Sequence, residues 1–138
     1  MSTKGSFDGP VVVAYSPDEY GAVALRLGAG IARDQDVSLV VVNATRGDAL
    51  VDRRFAHDAD IATLEQQLRD DGLDVTVRHE TVPDVAEAVV DAAREVRAAL
   101  VVVGVRPRSP MGKALLGSVA QNVILDAEVP VLVVKSPR

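Results

Sequence analysis

The sequence predicts an α/β fold: five parallel strands in a doubly wound sheet of order 3-2-1-4-5, with helices on both faces. Three observations carry this expectation. Five short blocks rich in β-branched residues punctuate the chain, and segments of helical length and period lie between them. Four of the five blocks are mostly unbroken in apolar character, as strands covered on both faces should be. Strands alternating with helices through right-handed crossovers then give a parallel sheet between two helical layers.

The first block is "PVVVAY" at 10–15, and a helical segment at 18–33 follows with Val23, Leu27 and Ile31 at i, i+4 and i+8. Ser16 reads as its N-cap, with Pro17 at the first helical position and Glu19 three residues on. The second block, "VSLVVVNA" at 37–44, precedes a helical segment at 57–71 carrying Ile61, Leu64 and Leu68. That segment stops at Gly72, as a C-cap glycine would make it. The third block, "LDVTVRHE" at 73–80, alternates Val75 and Val77 with Thr76 and Arg78, the pattern of an edge strand with one wet face.

Segment 84–97 is the clearest helix, with Val85, Ala88, Val89, Ala92 and Val96 on one stripe. Asp84 is its N-cap, and Glu87 completes an Asp-x-x-Glu cap. The fourth block is "ALVVVG" at 99–104. A last helix at 118–127 carries Val119, Val123 and Ile124 and ends before Pro130. Its cap reads as Ser118, with Gln121 forming a capping box. "PVLVVK" at 130–135 is the fifth block.

At 138 residues, with 48% hydrophobic and 25% charged residues, the chain has the size and composition of one globular domain over 1–138, with about nine residues of N-terminal tail. Two tyrosines, two phenylalanines and no tryptophan leave the core to Val, Leu, Ile and Ala. The absence of cysteine excludes disulfides, thiol nucleophiles, zinc-thiolate sites and iron–sulfur clusters. A net charge of −5 supplies no long-range attraction to nucleic acid or to an anionic membrane. The N-terminus "MSTKGSFDGP" has no apolar leader region, and the longest apolar run, around Ala98–Val103, is far short of the roughly 20 residues of a membrane span. A cytoplasmic protein is expected.

In a doubly wound sheet, ligands bind beyond the carboxyl ends of the strands where the order reverses, here between the first and fourth strands. The loops at 15–20 and 104–118 are therefore the ones that matter. The second contains Arg106, Arg108 and Lys113 with no carboxylate between Val105 and Leu116, inside an acidic chain. Gly117 and Ser118 open the last helix, whose first-turn amides and dipole favour an anion that a glycine lets approach closely. One reading is a phosphate or nucleotide site; the other is a solvated basic loop whose serine only caps a helix. The text "MGKA" is no Walker A motif, since Pro107 stands where its first glycine is needed and Ala114 where its Ser or Thr is needed. His57 and His79 lie in separate elements without ligand spacing and read as surface residues; no catalytic centre or metal site is expected.

Taken together, "VVVG", the basic loop, "LLGSVAQNVI" and "PVLVVK" resemble the C-terminal signature of the universal stress protein family, and "VVVAYS", "VPDVAEAVVDAA" and the chain length agree with it. The resemblance implies the adenine nucleotide alpha hydrolase-like form of this α/β fold and a regulatory role in stress response without enzymatic activity. It also implies an adenine nucleotide such as ATP or AMP as ligand. ATP-binding members carry Gly, two residues, Gly, nine residues, then Gly-Ser or Gly-Thr; Gly104, position 107, Gly117 and Ser118 hold that spacing. By the family's pattern Ala14, Tyr15, Ser16 and Ala44 border the base. Gly104, Gly112, Gly117 and Ser118 face the phosphates, with Arg106, Arg108 and Lys113 adding charge. The family often dimerises through the last strand, implying a homodimer through Val131, Leu132, Val133 and Val134; an apolar edge strand is an aggregation risk unless something covers it, and such a dimer would cover it.

Two positions depart from the pattern: Pro107 replaces a glycine and has no amide to donate, and Ser16 stands where nucleotide-binding relatives usually carry Asp. Two readings stay open. In one, the protein is a nucleotide-binding regulatory dimer that requires no cofactor, with magnesium left undecided. In the other, the site is degenerate, no nucleotide binds, and the domain acts as a protein-interaction module. Slow ATP hydrolysis has no evident carboxylate or general base to support it.

Overall fold

A computed structural model describes residues 6–46, 58–105 and 117–135. Strand and helix alternate throughout: β1 Val11–Ala14, α1 Glu19–Gln35, β2 Leu39–Thr45, α2 Asp58–Asp70, β3 Val75–Thr81, α3 Val85–Glu95, β4 Leu100–Val105, α4 Ser118–Asp126 and β5 Val131–Lys135. The strands form one parallel sheet in the order β3-β2-β1-β4-β5, as the sequence predicts. Val11–Ala14 of β1 lies in register with Leu39–Val42 on one side and Leu100–Val103 on the other.

Side chains alternate faces along each strand, and the sheet divides the core accordingly. Val11, Val13, Leu39, Val41 and Val102 pack under α1 and α2. Val12, Val40, Val42 and Val101 pack under α3 and α4. Each such Val or Leu contributes about 1.5–3 kcal/mol by leaving water, which explains why these blocks are saturated with apolar residues. β3 lies at one edge; only its first residue, Val75, is buried, and its burial does not follow the alternation of its sequence pattern beyond Val77.

Helix α1 corrects one expectation. Its buried face is Gly21, Ala24, Leu25, Gly28, Ala29 and Ala32, whereas Leu27 is 40% exposed. The Val23, Leu27, Ile31 stripe is the more hydrophobic one but not the inner one. A side chain at Gly28 would overlap the Val13 side chain, so the helix lies closer to the sheet than large residues would allow. Small residues therefore face inward.

Three helices end alike. Asp36, Gly72 and Arg97 adopt left-handed φ values of 57°, 90° and 54°. The residue after each donates its N–H back to the last turn, from Val37 to Ala32 at 3.0 Å, from Leu73 to Leu68 at 3.2 Å and from Ala98 to Ala93 at 2.9 Å. This is the Schellman pattern, which satisfies carbonyls that a helix end leaves open.

Candidate functional site

β1 feeds α1 on one face of the sheet and β4 feeds α4 on the other, so the order reverses between these neighbouring strands. The turn from Tyr15 to Gly21 borders that point; of the connection from β4 to α4, only the ends at Val105 and Gly117 lie among the described residues.

The first turn is capped differently from the expectation. Asp18, not Ser16, is the N-cap of α1: its Oδ1 accepts the Gly21 N–H at 2.8 Å and the Ser16 hydroxyl at 2.9 Å. Both residues are cap formers, but the helix begins at Glu19, two residues too late for Ser16 to reach the first-turn amides. A Cβ at Gly21 would overlap the Ser16 carbonyl, so glycine allows the turn to fold onto the helix. Position 16 carries no carboxylate, and that of Asp18 holds the Ser16 hydroxyl.

Ala14 and Tyr15 point to opposite faces. Ala14 packs toward α4 with Val103 and Ala120, whereas Tyr15 packs on the α1–α2 side. Burial, then the carboxylates of Asp18 and Asp60, push the Tyr15 phenol above its ordinary pKa. It is a protonated hydrogen-bond donor at neutral pH, in a setting that is locally negative.

The row beside Tyr15 contains two residues that the sequence reading missed or misplaced. Asn43, fully buried in β2, donates its Nδ2 to the Tyr15 carbonyl at 2.9 Å. Its register partner on β3 is His79, whose Nδ1 lies 3.1 Å from Asp58 at the start of α2. With a side chain only 14% exposed, His79 is not the surface residue expected; its place on the inner face of β3 decides this. The signal for Asn43 was present, since one amide in the run "LVVVNAT" must find a hydrogen bond or lose stability. Ala44 is buried at the end of the same strand.

On the β4 side, the backbone of Gly104 lies against the first turn of α1, where the Tyr20 carbonyl fills the place of a side chain. Helix α4 has Gly117 as its N-cap and no side-chain cap bond, while the Gly117 carbonyl accepts the Gln121 N–H at 2.9 Å. Ser118 is therefore the first helical residue and not the cap; its hydroxyl cannot turn back to the first-turn amides. Gly117 and Ser118 are exposed, and a Cβ at Gly117 would meet nothing among the described residues. Arg106, Pro107, Arg108, Gly112 and Lys113, like His57, lie outside the described residues. In β5, Val133 is exposed and Val131, Leu132 and Val134 are half-buried at the second edge of the sheet.

A model of the universal stress protein family matches residues 9–135. The chain belongs to the universal stress protein family. This universal stress protein is 42% identical over 125 residues to a universal stress protein of Mycolicibacterium smegmatis, covering 91% of its own chain and 96% of the relative. It resembles the solved structure of an Archaeoglobus fulgidus universal stress protein in complex with dAMP, with 27% identity, a TM-score of 0.61, and 91% and 96% of the two chains covered. It also resembles that of a universal stress protein in complex with cAMP, with 25% identity, a TM-score of 0.67, and 94% and 98% covered. Ala14, Tyr15 and Ser16 lie at and just beyond the end of β1, and Gly104 lies near the end of the neighbouring β4. Among the described residues, no group of three His, Asp or Glu side chains forms a metal site.

Proposed function

We propose that this universal stress protein binds an adenine nucleotide across the carboxyl ends of β1 and β4 and acts as a regulatory protein, not an enzyme. The observation that carries this reading is the start of α4. Its N-cap residue, Gly117, offers no side-chain cap, and among the described residues neither an unusual φ nor packing requires a glycine there. A glycine at a helix N-terminus suits close approach of a phosphate. The dAMP and cAMP complexes of related proteins support the choice of nucleotide.

Charge orients the ligand. Asp18 and Asp60 make the Tyr15 side of the site negative, which suits the donors of a base and ribose and repels phosphates. The phosphates belong at the α4 end, beside Gly117 and Ser118, where Gly112 and the cations Arg106, Arg108 and Lys113 are near in sequence. Tyr15, Ser16, Ala14 and Ala44 then border the nucleoside, and Gly104 lies between the two ends. Calorimetry of the wild-type protein with ATP, ADP, AMP and cyclic AMP tests this. Saturable binding of at least one is expected; no heat and no thermal shift at millimolar ligand would overturn it.

The degenerate-site reading has one observation in its favour: the Ser16 hydroxyl is already donated to Asp18 and cannot also donate to a ribose. Nucleotide co-purifying with the protein would count against it. Pairing of two protomers through β5 is part of the proposal, supported by the exposed Val133 on a strand that is an edge of the sheet among the described residues. Sedimentation should find a dimer, and Val133→Glu should shift it to monomer.

A further inference from the structure

We propose that Asn43 is the positioning residue of the candidate site: its buried amide holds the Tyr15 carbonyl and thereby sets the turn from Tyr15 to Gly21. This rests on the nucleotide reading above for its functional consequence, but not for its structural one.

Asn43 is 0% exposed in a strand whose seven residues are all buried. If packing were the only demand, an apolar residue would serve there, as Val41 does one level earlier on the same face. A buried amide is tolerated when it is hydrogen-bonded, and its bond to the Tyr15 carbonyl points to its task. The Tyr15 N–H donates to the Val42 carbonyl at 2.8 Å, a regular bond between neighbouring strands. The Tyr15 carbonyl, just beyond β1, is held by a side chain, the Asn43 amide, at 2.9 Å. The chain can therefore leave the sheet at Tyr15 with its carbonyl still satisfied.

From that point the turn is fixed at both ends. Asn43 holds its start; Asp18 holds its end through Ser16 and Gly21. Because Asn43 is wholly buried, it acts on a ligand indirectly, through the Tyr15 and Ser16 backbone that it places. Positioning errors of this kind weaken binding without removing a contact.

The test uses Asn43→Val, which suits a strand and removes the donor, in the full-length protein. Amide exchange by NMR should accelerate about tenfold or more at Ser16–Gly21 while Val75–Thr81 of β3 keeps its wild-type rates. The dissociation constant for ATP should rise about tenfold. A role in stability alone would speed exchange throughout and leave the affinity of the folded fraction unchanged. Asn43→Thr, similar in shape to the Val variant and carrying a donor, should fall between Val and wild type. A folded Val variant with wild-type exchange in the turn overturns the proposal. If that variant does not fold, Asn43→Thr decides, with wild-type turn exchange as the contrary result. If the wild-type protein takes up no ATP, the nucleotide reading fails, and exchange at the turn still decides the role of Asn43.

Discussion

The carbonyl of Tyr20, in the first turn of α1, fills the space that a side chain at Gly104 would need. A Cβ there would lie 2.9 Å from the Tyr20 carbonyl carbon, which is backbone and cannot swing aside. The first glycine of the family's spacing thus has a packing duty independent of any ligand. Gly104→Ala should destabilise the protein by about 1–3 kcal/mol, the range for overpacking a tight contact, as read from urea unfolding. Stability within error of wild type would mean that α1 can shift away from β4.

Gly117 behaves oppositely. Gly117→Asp should supply the side-chain cap that Gly117 cannot form and stabilise the protein by about 0.5–1 kcal/mol. The same carboxylate would occupy the amides and repel a phosphate, so nucleotide affinity should fall about tenfold or more. Higher stability with unchanged affinity would move the phosphates elsewhere.

The left-handed residues at the helix ends make a prediction free of function. Asp36 and Arg97 hold φ values of 57° and 54°, where a Cβ is unfavourable, while Gly72 fills the same role at the end of α2 without that cost. Asp36→Gly and Arg97→Gly should each stabilise by about 0.5–1 kcal/mol, and Gly72→Ala should destabilise by about 1 kcal/mol. Thermal unfolding of the three variants checks both signs.

Tyr15 carries a pH signature. With Tyr20→Phe, it is the only tyrosine left, and its absorbance titration should lie above the ordinary value of about 10. Burial is the first cause, and the Asp18 and Asp60 carboxylates follow; Asp60→Asn should lower the midpoint. Because the folded value is raised, the unfolded chain loses its proton first. The contribution to stability is full below about pH 10 and is lost as the pH climbs through the folded value. A midpoint at or below that of free tyrosine would contradict the burial and charges described.

The parts of this molecule that the sequence reading anticipated are those set by period and saturation. The run "VVVA" between "LVVV" and "LVVV" could only be a central strand buried on both faces, and the alternation at Val75–Arg78 placed β3 at an edge. Close approach was less legible. Small residues won the inner face of α1 because Gly28 lets the helix settle on Val13, a preference no hydrophobic stripe conveys. The caps at Ser16 and Ser118 were misread because cap formers adjoin both helix starts, and backbone conformation, not residue type, chose Asp18 and Gly117. Asp60 and His79 reach the Tyr15 neighbourhood from α2 and β3, a convergence that appears only once the sheet order is folded.

The central claim is that an adenine nucleotide lies across the β1–β4 reversal with its phosphates at the start of α4. It is tested most directly by following the backbone amides of isotope-labelled protein during an ATP titration. Saturable shifts at Gly117–Ala120, together with shifts at Tyr15 and Ser16, are the predicted result. Saturable shifts confined to other parts of the chain, or none at millimolar ATP, would contradict it.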